Sequence, residues 1–182
     1  MIGKTNFSLI GSIVLGRSRR ILSGAALSMT MLMSGPAIGA CTEPPYPKVN
    51  WERCYMEERN FSGVDLKGAK LRDARFHRSI LDGSNLSVVD AHRAKFISAY
   101  MPKITFDFAH LTESDFTKAN LQGASLINAD LRRTRFFRAN LRGANLSGAR
   151  LTGADFLNAD LSGATWIDGK TVCAEGSIGQ CK

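Results

Sequence analysis

The hydrophobic pattern of this chain has a period of five. From Arg59 to Asp168 one large apolar residue recurs every fifth position: Phe61, Leu66, Leu71, Phe76, Leu81, Leu86 and so on to Trp166. Only Ala91 in this series is small. Two places before each centre stands a small residue, Ala in 14 of the 22 units and Ser or Thr in four more. The other three places are mostly polar. A helix would repeat every 3.6 residues and a strand every two, so the unit is a structural repeat. A chain that turns a corner once per unit satisfies the pattern. The large and small residues point inward and the polar ones face water. One unit cannot bury its Leu alone, but stacked coils cover one another.

The number of units per coil can be read from the aromatic residues. Phe76, Phe96, Phe116, Phe136 and Phe156 are spaced by 20. Four units per coil place them in one inward ladder, with rings stacked in register. The neighbouring ladders become Leu71, Ala91, Leu111, Leu131, Leu151 and Leu66, Leu86, Phe106, Leu126, Leu146. The pattern therefore predicts an all-β solenoid of about 5.5 square coils, each rising by the strand spacing of ~4.8 Å. Ala91, beside Val88 and Val89, reads as volume compensation in the core. Pro102, Ile104 and Phe108 make units 99–108 irregular and suggest a bulge.

The stretch "ANLRGANLSGARLTGADFLNADLSGA" at 139–164 resembles the pentapeptide-repeat proteins, whose unit is A-[DN]-L-x-x. The resemblance covers 59–168. It implies a right-handed quadrilateral β-helix with four faces, and a homodimer formed through the ends of the stacked coils. The flanks "PPYPKVNWERC" and "WIDGKTVCAEGSIGQC" resemble those of exported members. The expected domains are an export signal over 1–40, an N-terminal cap over 41–58 with Trp51 and Tyr55 covering the first coil, the β-helix over 59–168, and a C-terminal cap over 169–182 below Trp166.

Charge and cysteines bear on compartment. The chain carries 24 basic and 16 acidic side chains, a net +8. Lys4, Arg17, Arg19 and Arg20 lie in the first 40 residues, which hold no acid, so the remainder is near +4. The basic "GRSRR" leads into the short apolar run "ILSGAALSMTMLMSGPAIGA", the order of a cleaved export signal. "SRRIL" at 18–22 resembles a twin-arginine motif. "AIGAC" at 37–41 resembles a lipobox, which would anchor the chain to a membrane through a lipid on Cys41. All four cysteines, Cys41, Cys54, Cys173 and Cys181, follow the signal. An even number in an exported chain reads as disulfides. Pairing 41 with 54 and 173 with 181 is one of three connectivities, preferred because each pair is local and brackets the repeat. A periplasmic or secreted protein is expected, with the lipoprotein as the alternative.

No catalytic motif is present: no G-x-S-x-G, P-loop, H-E-x-x-H or G-x-G-x-x-G. No enzyme activity, cofactor or metal is expected, and His77, His92 and His110 read as surface residues. The Asp and Asn just before each centre read as groups that hold the turn backbone. The Phe-ladder face carries Arg75, Arg78, Lys95, Lys118, Arg135 and Arg138 against Asp115 and Asp155, a net +4. The face before it sums to +2 and the remaining two together to −1. Ile97, Phe137 and Leu157 form an outward row on the Phe-ladder face. A candidate binding face follows: Arg75, Arg78, Lys95, Ile97, Arg135, Phe137, Arg138 and Leu157. Its bland counterpart is ordinary solubilising charge with a few tolerated apolar residues.

These features predict a non-enzymatic, exported interaction or structural module for an anionic envelope component or a protein. The resemblance also brings in the family members that protect gyrase by imitating DNA. A basic chain with an export signal disfavours that reading. Nucleic acid is not an expected partner, since a Phe inside a coil cannot stack on bases.

Overall fold

The chain pairs with itself at an offset of 20 residues. In a computed structural model that describes residues 41–182, parallel β-bridges run without interruption from Asn50↔Lys70 to Asn145↔Thr165. The export signal expected over 1–40 lies outside the described residues. From Trp51 to Leu146 each centre donates its N–H to the coil above, as Leu71 does to the Asp90 carbonyl at 2.7 Å and Phe96 to that of Asp115 at 2.8 Å. The residue before the centre donates to the coil below, as Lys70 does to Val49 and Lys95 to Ala74, both at 2.9 Å. Four sides make one coil. Face 1 has centres at Trp51, Leu71, Ala91, Leu111, Leu131 and Leu151. Face 2 is the Phe ladder, begun by Met56. Face 3 runs from Phe61 to Leu161 and face 4 from Leu66 to Trp166.

The corners follow from local chemistry. Each centre's carbonyl accepts the N–H three residues on, as from Ala74 to Leu71 at 3.0 Å. The second residue after the centre has φ near +60°, which makes these type II turns. The Asn or Asp before the centre tightens the corner by accepting the N–H two residues later. Asp115 holds Thr117 at 2.9 Å, Asn120 holds Gln122 at 3.1 Å and Asn140 holds Arg142 at 3.0 Å. Glycine fits the left-handed position without strain, as Gly68 and Gly148 do. A side chain there costs roughly 1–2 kcal/mol. Sixteen corners nevertheless carry one.

The core is a stack of ladders. The Phe rings lie 5.1, 4.9, 5.2 and 5.0 Å apart from Phe76 to Phe156, and neighbouring planes are within 10° of parallel. Rings in contact are about 3.5 Å apart plane to plane. A 5 Å centroid distance therefore requires an offset of similar size, which is the favourable stacked arrangement. Phe106 on face 4 meets Phe96 and Phe116 edge-on, each at 5.7 Å. The small positions are buried too. Where they are hydroxylic, the oxygen donates to a backbone carbonyl, as Ser114 and Thr134 both do to Leu111.

Three expectations are corrected. The coils begin before Arg59: Trp51 and Met56 are centres of two further units, and Cys54 takes a small-residue position. Met for Leu and Cys for Ala hide these units from a search for A-x-L. Trp51 is therefore part of the first coil, against Phe61 at 5.3 Å, rather than a lid over it. Tyr55 faces outward, 62% exposed. Second, Val88 does not fill the core beside Ala91. Val89 is buried at the small position, whereas Val88 sits at a corner with its side chain 49% exposed. Third, units 99–108 contain no bulge, because Tyr100↔Asn120 and Thr105↔Ser125 keep the 20-residue offset. Pro102 occupies the second place of its turn, where its fixed φ suits type II, and Ile104 simply fills a small position.

The structure pairs Cys41 with Cys54 and Cys173 with Cys181. The C-terminal segment folds back antiparallel on the last coil, with Asp160↔Ile178 and Thr165↔Val172 as its bridges. Leu161 and Gly163 thereby find acceptors at Ser177 and Cys173. This cover protects faces 3 and 4. On faces 1 and 2, Leu151 and Phe156 remain half-buried at the open end. Replacing Cys173 and Cys181 together by Ser should cost the cap about 2–3 kcal/mol. Amide exchange should accelerate at Leu161 and Gly163 while Leu111 stays protected; equal protection everywhere would show that the disulfide does not hold the cap.

Candidate interaction face

Face 2 assembles the sequence-derived candidates, but the earlier start of the coils changes its balance. Glu57 and Glu58 now belong to it, so six basic side chains stand against four acidic ones. Glu58 pairs with Arg78 at 3.1 Å, Glu57 with His77 at 3.4 Å and Asp115 with Arg135 at 3.7 Å. The remaining cations of face 2 have no carboxylate partner among the described residues. Arg75 lies over the Tyr55 ring at 4.7 Å and Arg138 over Phe137 at 5.1 Å, while Lys95 and Lys118 are exposed without a partner. Arg75 and Lys95 stack on the flat of the face. Lys118 and Arg138 stack at its far corner, one and two coils higher than Lys95. The four thus climb diagonally across face 2.

Face 1 is different. Arg72 pairs with Asp90, Arg93 with Asp73, Arg133 with Glu113, and Arg132 and Arg150 both reach Asp130. Exposed pairs of this kind are worth about 0–1 kcal/mol each, and they leave Arg53 and Lys70 as the face 1 cations without a carboxylate partner among the described residues. Faces 1 and 2 thus carry the same net +2, and face 2 differs in holding four cations without a carboxylate partner where face 1 holds two. The apolar row is only partly outward: Ile97 and Phe137 are half-buried, and Leu157 is 60% exposed.

His92 bonds through Nδ1 to the Thr112 hydroxyl at 2.8 Å. Among the described residues no group of His, Cys, Asp or Glu could hold a metal ion. The cleft along the corner between faces 1 and 2, about 440 Å³, is walled by the alternating Asp73, Arg93, Glu113 and Arg133. Three carboxyls are held below the usual range by structural bonds: Asp160, against the cost of its burial, by the Ser162 hydroxyl and amide and by Arg142, and the two that follow. Arg132 grips Asp130 through Nε and Nη2 at 2.8 and 2.7 Å and holds its carboxyl below the usual range. The Thr171 hydroxyl, with the Lys170 and Thr171 amides, lowers Asp168 to about 2. All three have a lower pKa folded than unfolded, where about 4 is normal. Their stabilisation is complete above pH 4 and is lost as pH falls through the folded values. The melting temperature should hold from pH 7 to about 4.5 and drop between about 4 and 2. Asp130→Asn should show a smaller acid drop; an equal drop would mean that Asp130 does not contribute to it.

The pentapeptide-repeat family model matches residues 60–96, 99–136 and 129–165, eight copies in all. The chain belongs to the pentapeptide-repeat family. Its fold is that family's right-handed quadrilateral β-helix. Members of the family are typically non-enzymatic structural or interaction modules. Similar solved structures include trypsin-treated QnrB1, a plasmid-mediated fluoroquinolone resistance protein, at 20% identity over 66% of this chain and 64% of that one, with a TM-score of 0.43. Rfr23 from the cyanobacterium Cyanothece 51142 is 25% identical over 64% of this chain and 90% of its own, with a TM-score of 0.42. HetL from Nostoc sp. strain PCC 7120, involved in heterocyst differentiation regulation, is 24% identical over 69% and 70%, with a TM-score of 0.29. This pentapeptide-repeat protein spans under two thirds of the QnrB1 structure's length. No curated protein matches it.

The sequence columns place these cations together on face 2 but do not separate paired from unpaired ones. The signal was available. An acid 20 residues before a base in the same column, as in Glu58–Arg78 and Asp73–Arg93, marks a pair one coil apart.

Proposed function

We propose that this pentapeptide-repeat protein is an exported, non-enzymatic interaction module whose face 2 engages an anionic partner in the cell envelope. The observation that carries this reading is the diagonal of Arg75, Lys95, Lys118 and Arg138, cations without carboxylate partners on a flat, hydrogen-bonded sheet face. A rigid face loses little conformational freedom on binding. Each unneutralised cation contributes about 1 kcal/mol near an anionic surface at low salt. Imitation of DNA requires the opposite sign of charge, and most acids of faces 1 and 2 are already held by arginines. Export is supported by the basic-apolar order of 1–40 and by two local disulfides, which persist in oxidising compartments.

The triple variant Lys95→Gln, Lys118→Gln, Arg138→Gln removes charge from exposed side chains that pair with no carboxylate. Its melting temperature should stay within about a degree of wild type, since surface changes are near neutral. Its retention on vesicles containing an anionic phospholipid, and on a soluble carboxylate polymer, should fall at least tenfold at low ionic strength. Unchanged retention would refute face 2 as the contact. Expression of the whole chain in a Gram-negative host, with fractionation and intact mass, tests the compartment. A soluble envelope product starting near Cys41 and about 4 Da heavier after reduction is expected. An acylated membrane product would make Cys41 a lipid site, and an uncut cytoplasmic one with free thiols would overturn export.

A further inference from the structure

We infer that Val88 and Phe108 form the contact through which two copies of this chain associate side by side, antiparallel, about a two-fold axis. Both residues sit at the left-handed corner position, each with φ of 57°. A β-branched or bulky side chain is a genuine outlier there. The other non-glycine residues at this position are charged or polar: Arg, Lys, Glu, Asp, Asn or Ser. Val88 and Phe108 are the apolar exceptions, and they lie one coil apart in the same column. Their strain is not offset by burial within the chain, because they are 49% and 56% exposed. Strain kept where it gains nothing internally points to a contact outside the chain.

The order of the column identifies the occupant. Up the corner between faces 4 and 1 it reads Gly68, Val88, Phe108, Asn128, Gly148. A two-fold axis between Val88 and Phe108 sets each against the other in the second copy, Gly68, which the Lys48 side chain borders, against Asn128, and Lys48 against Gly148. The adjoining column of face 1 reads Lys70, Asp90, His110, Asp130. The same axis sets Lys70 against Asp130, already held by Arg132 and Arg150, and Asp90, paired with Arg72, against His110, so no like charges meet in this column. Self-complementarity of this kind is what an isologous contact requires.

Charge selects the same corner. Beyond residue 40 the chain is near +4, so two copies repel except where charge is low. Face 4 is the most weakly charged side; between Asp65 and Ser147 its charged groups are Asp65, Lys67 and Asp107, and Asp107 is bonded by Ser125 and the Ile127 amide. The contact is narrow and falls short of the ~1,200 Å² of a standard interface. Association is therefore weak, with a dissociation constant in the range of about 10 µM to 1 mM. Pairing at this corner leaves face 2 of both copies open.

Sedimentation equilibrium of the purified chain at physiological salt, from micromolar to millimolar, tests this inference. Wild type should pass from monomer to dimer. Phe108→Gly and Val88→Gly should each weaken association at least tenfold, while the melting temperature of the dilute protein stays at or above wild type, because glycine relieves the corner. A folded variant that no longer associates separates docking from stability. Leu157→Asn, at the open coil end, should dimerise like wild type. A wild-type chain that stays monomeric to 1 mM, a Phe108→Gly variant that dimerises unchanged, or a dimer lost only in Leu157→Asn would each overturn the inference.

Discussion

Leu131→Arg should leave the protein unfolded or lower its melting temperature by at least about 10 °C. Leu131 is fully buried at a face 1 centre, with Leu111 below and Leu151 above, and its N–H is bonded to the Arg150 carbonyl at 3.0 Å. A guanidinium there has coils on both sides and no carboxylate in the ladder. An uncompensated buried charge costs about 3–5 kcal/mol, and loss of the Leu packing adds to it. The total stability of a domain is about 5–15 kcal/mol, and each 1 kcal/mol moves a chain of this size by about 2–4 °C. The adjacent exposed Arg133, at a corner with φ of 57°, provides the contrast. Arg133→Gly should melt within about 2 °C of wild type or slightly above it. Thermal melts by circular dichroism decide. If Leu131→Arg melts like wild type, the centres do not point inward and the coil assignment fails.

The different behaviour of two neighbouring positions explains how much of this fold could be read from the chain. A buried centre tolerates few residue types, so Leu and Phe mark it every five residues, and the 20-residue spacing of the Phe series follows from packing rings in register. The corner position tolerates many types at a modest strain, so it carries little structural information. Val88 was therefore placed in the core on volume alone, although it sits one position from the small site that Val89 fills. The first coil escaped for a related reason. Met56 and Cys54 meet the volume demands of centre and small position without the usual letters, and Trp51 stands before the Ala series begins, since Val49, Cys54, Arg59 and Val64 occupy the first four small positions. The candidate face was legible in its columns but not in its balance. Whether a cation is free depends on the residue 20 places away, a relation that becomes visible only once the register is fixed. The same logic makes Val88 and Phe108 informative. Where the fold does not dictate the residue, an apolar one that is strained and exposed calls for another explanation.

Phe116→Ala should destabilise the protein by about 3–5 kcal/mol, and Phe156→Ala by about half as much. Phe116 is fully buried between Phe96 at 4.9 Å and Phe136 at 5.2 Å, with the edge of Phe106 against it at 5.7 Å. Truncation opens a cavity whose walls are held by hydrogen-bonded coils above and below, so the site cannot collapse. Phe156 has a ring neighbour on one side only, Phe136 at 5.0 Å, plus Trp166 at 6.1 Å, and it is half-buried at the open end. The pair separates packing from register when combined with a double-mutant cycle. Phe96→Ala with Phe116→Ala should couple by about 0.5–1.5 kcal/mol, as touching aromatic residues do. Phe76→Ala with Phe136→Ala, three coils apart, should add to within about 0.5 kcal/mol. In a coil of any other length Phe96 and Phe116 would not touch, and their coupling would fall to the level of the distant pair. Chemical denaturation of the four single and two double variants therefore tests the 20-residue coil directly, because the coupling depends on which rings are neighbours and not on how hydrophobic they are.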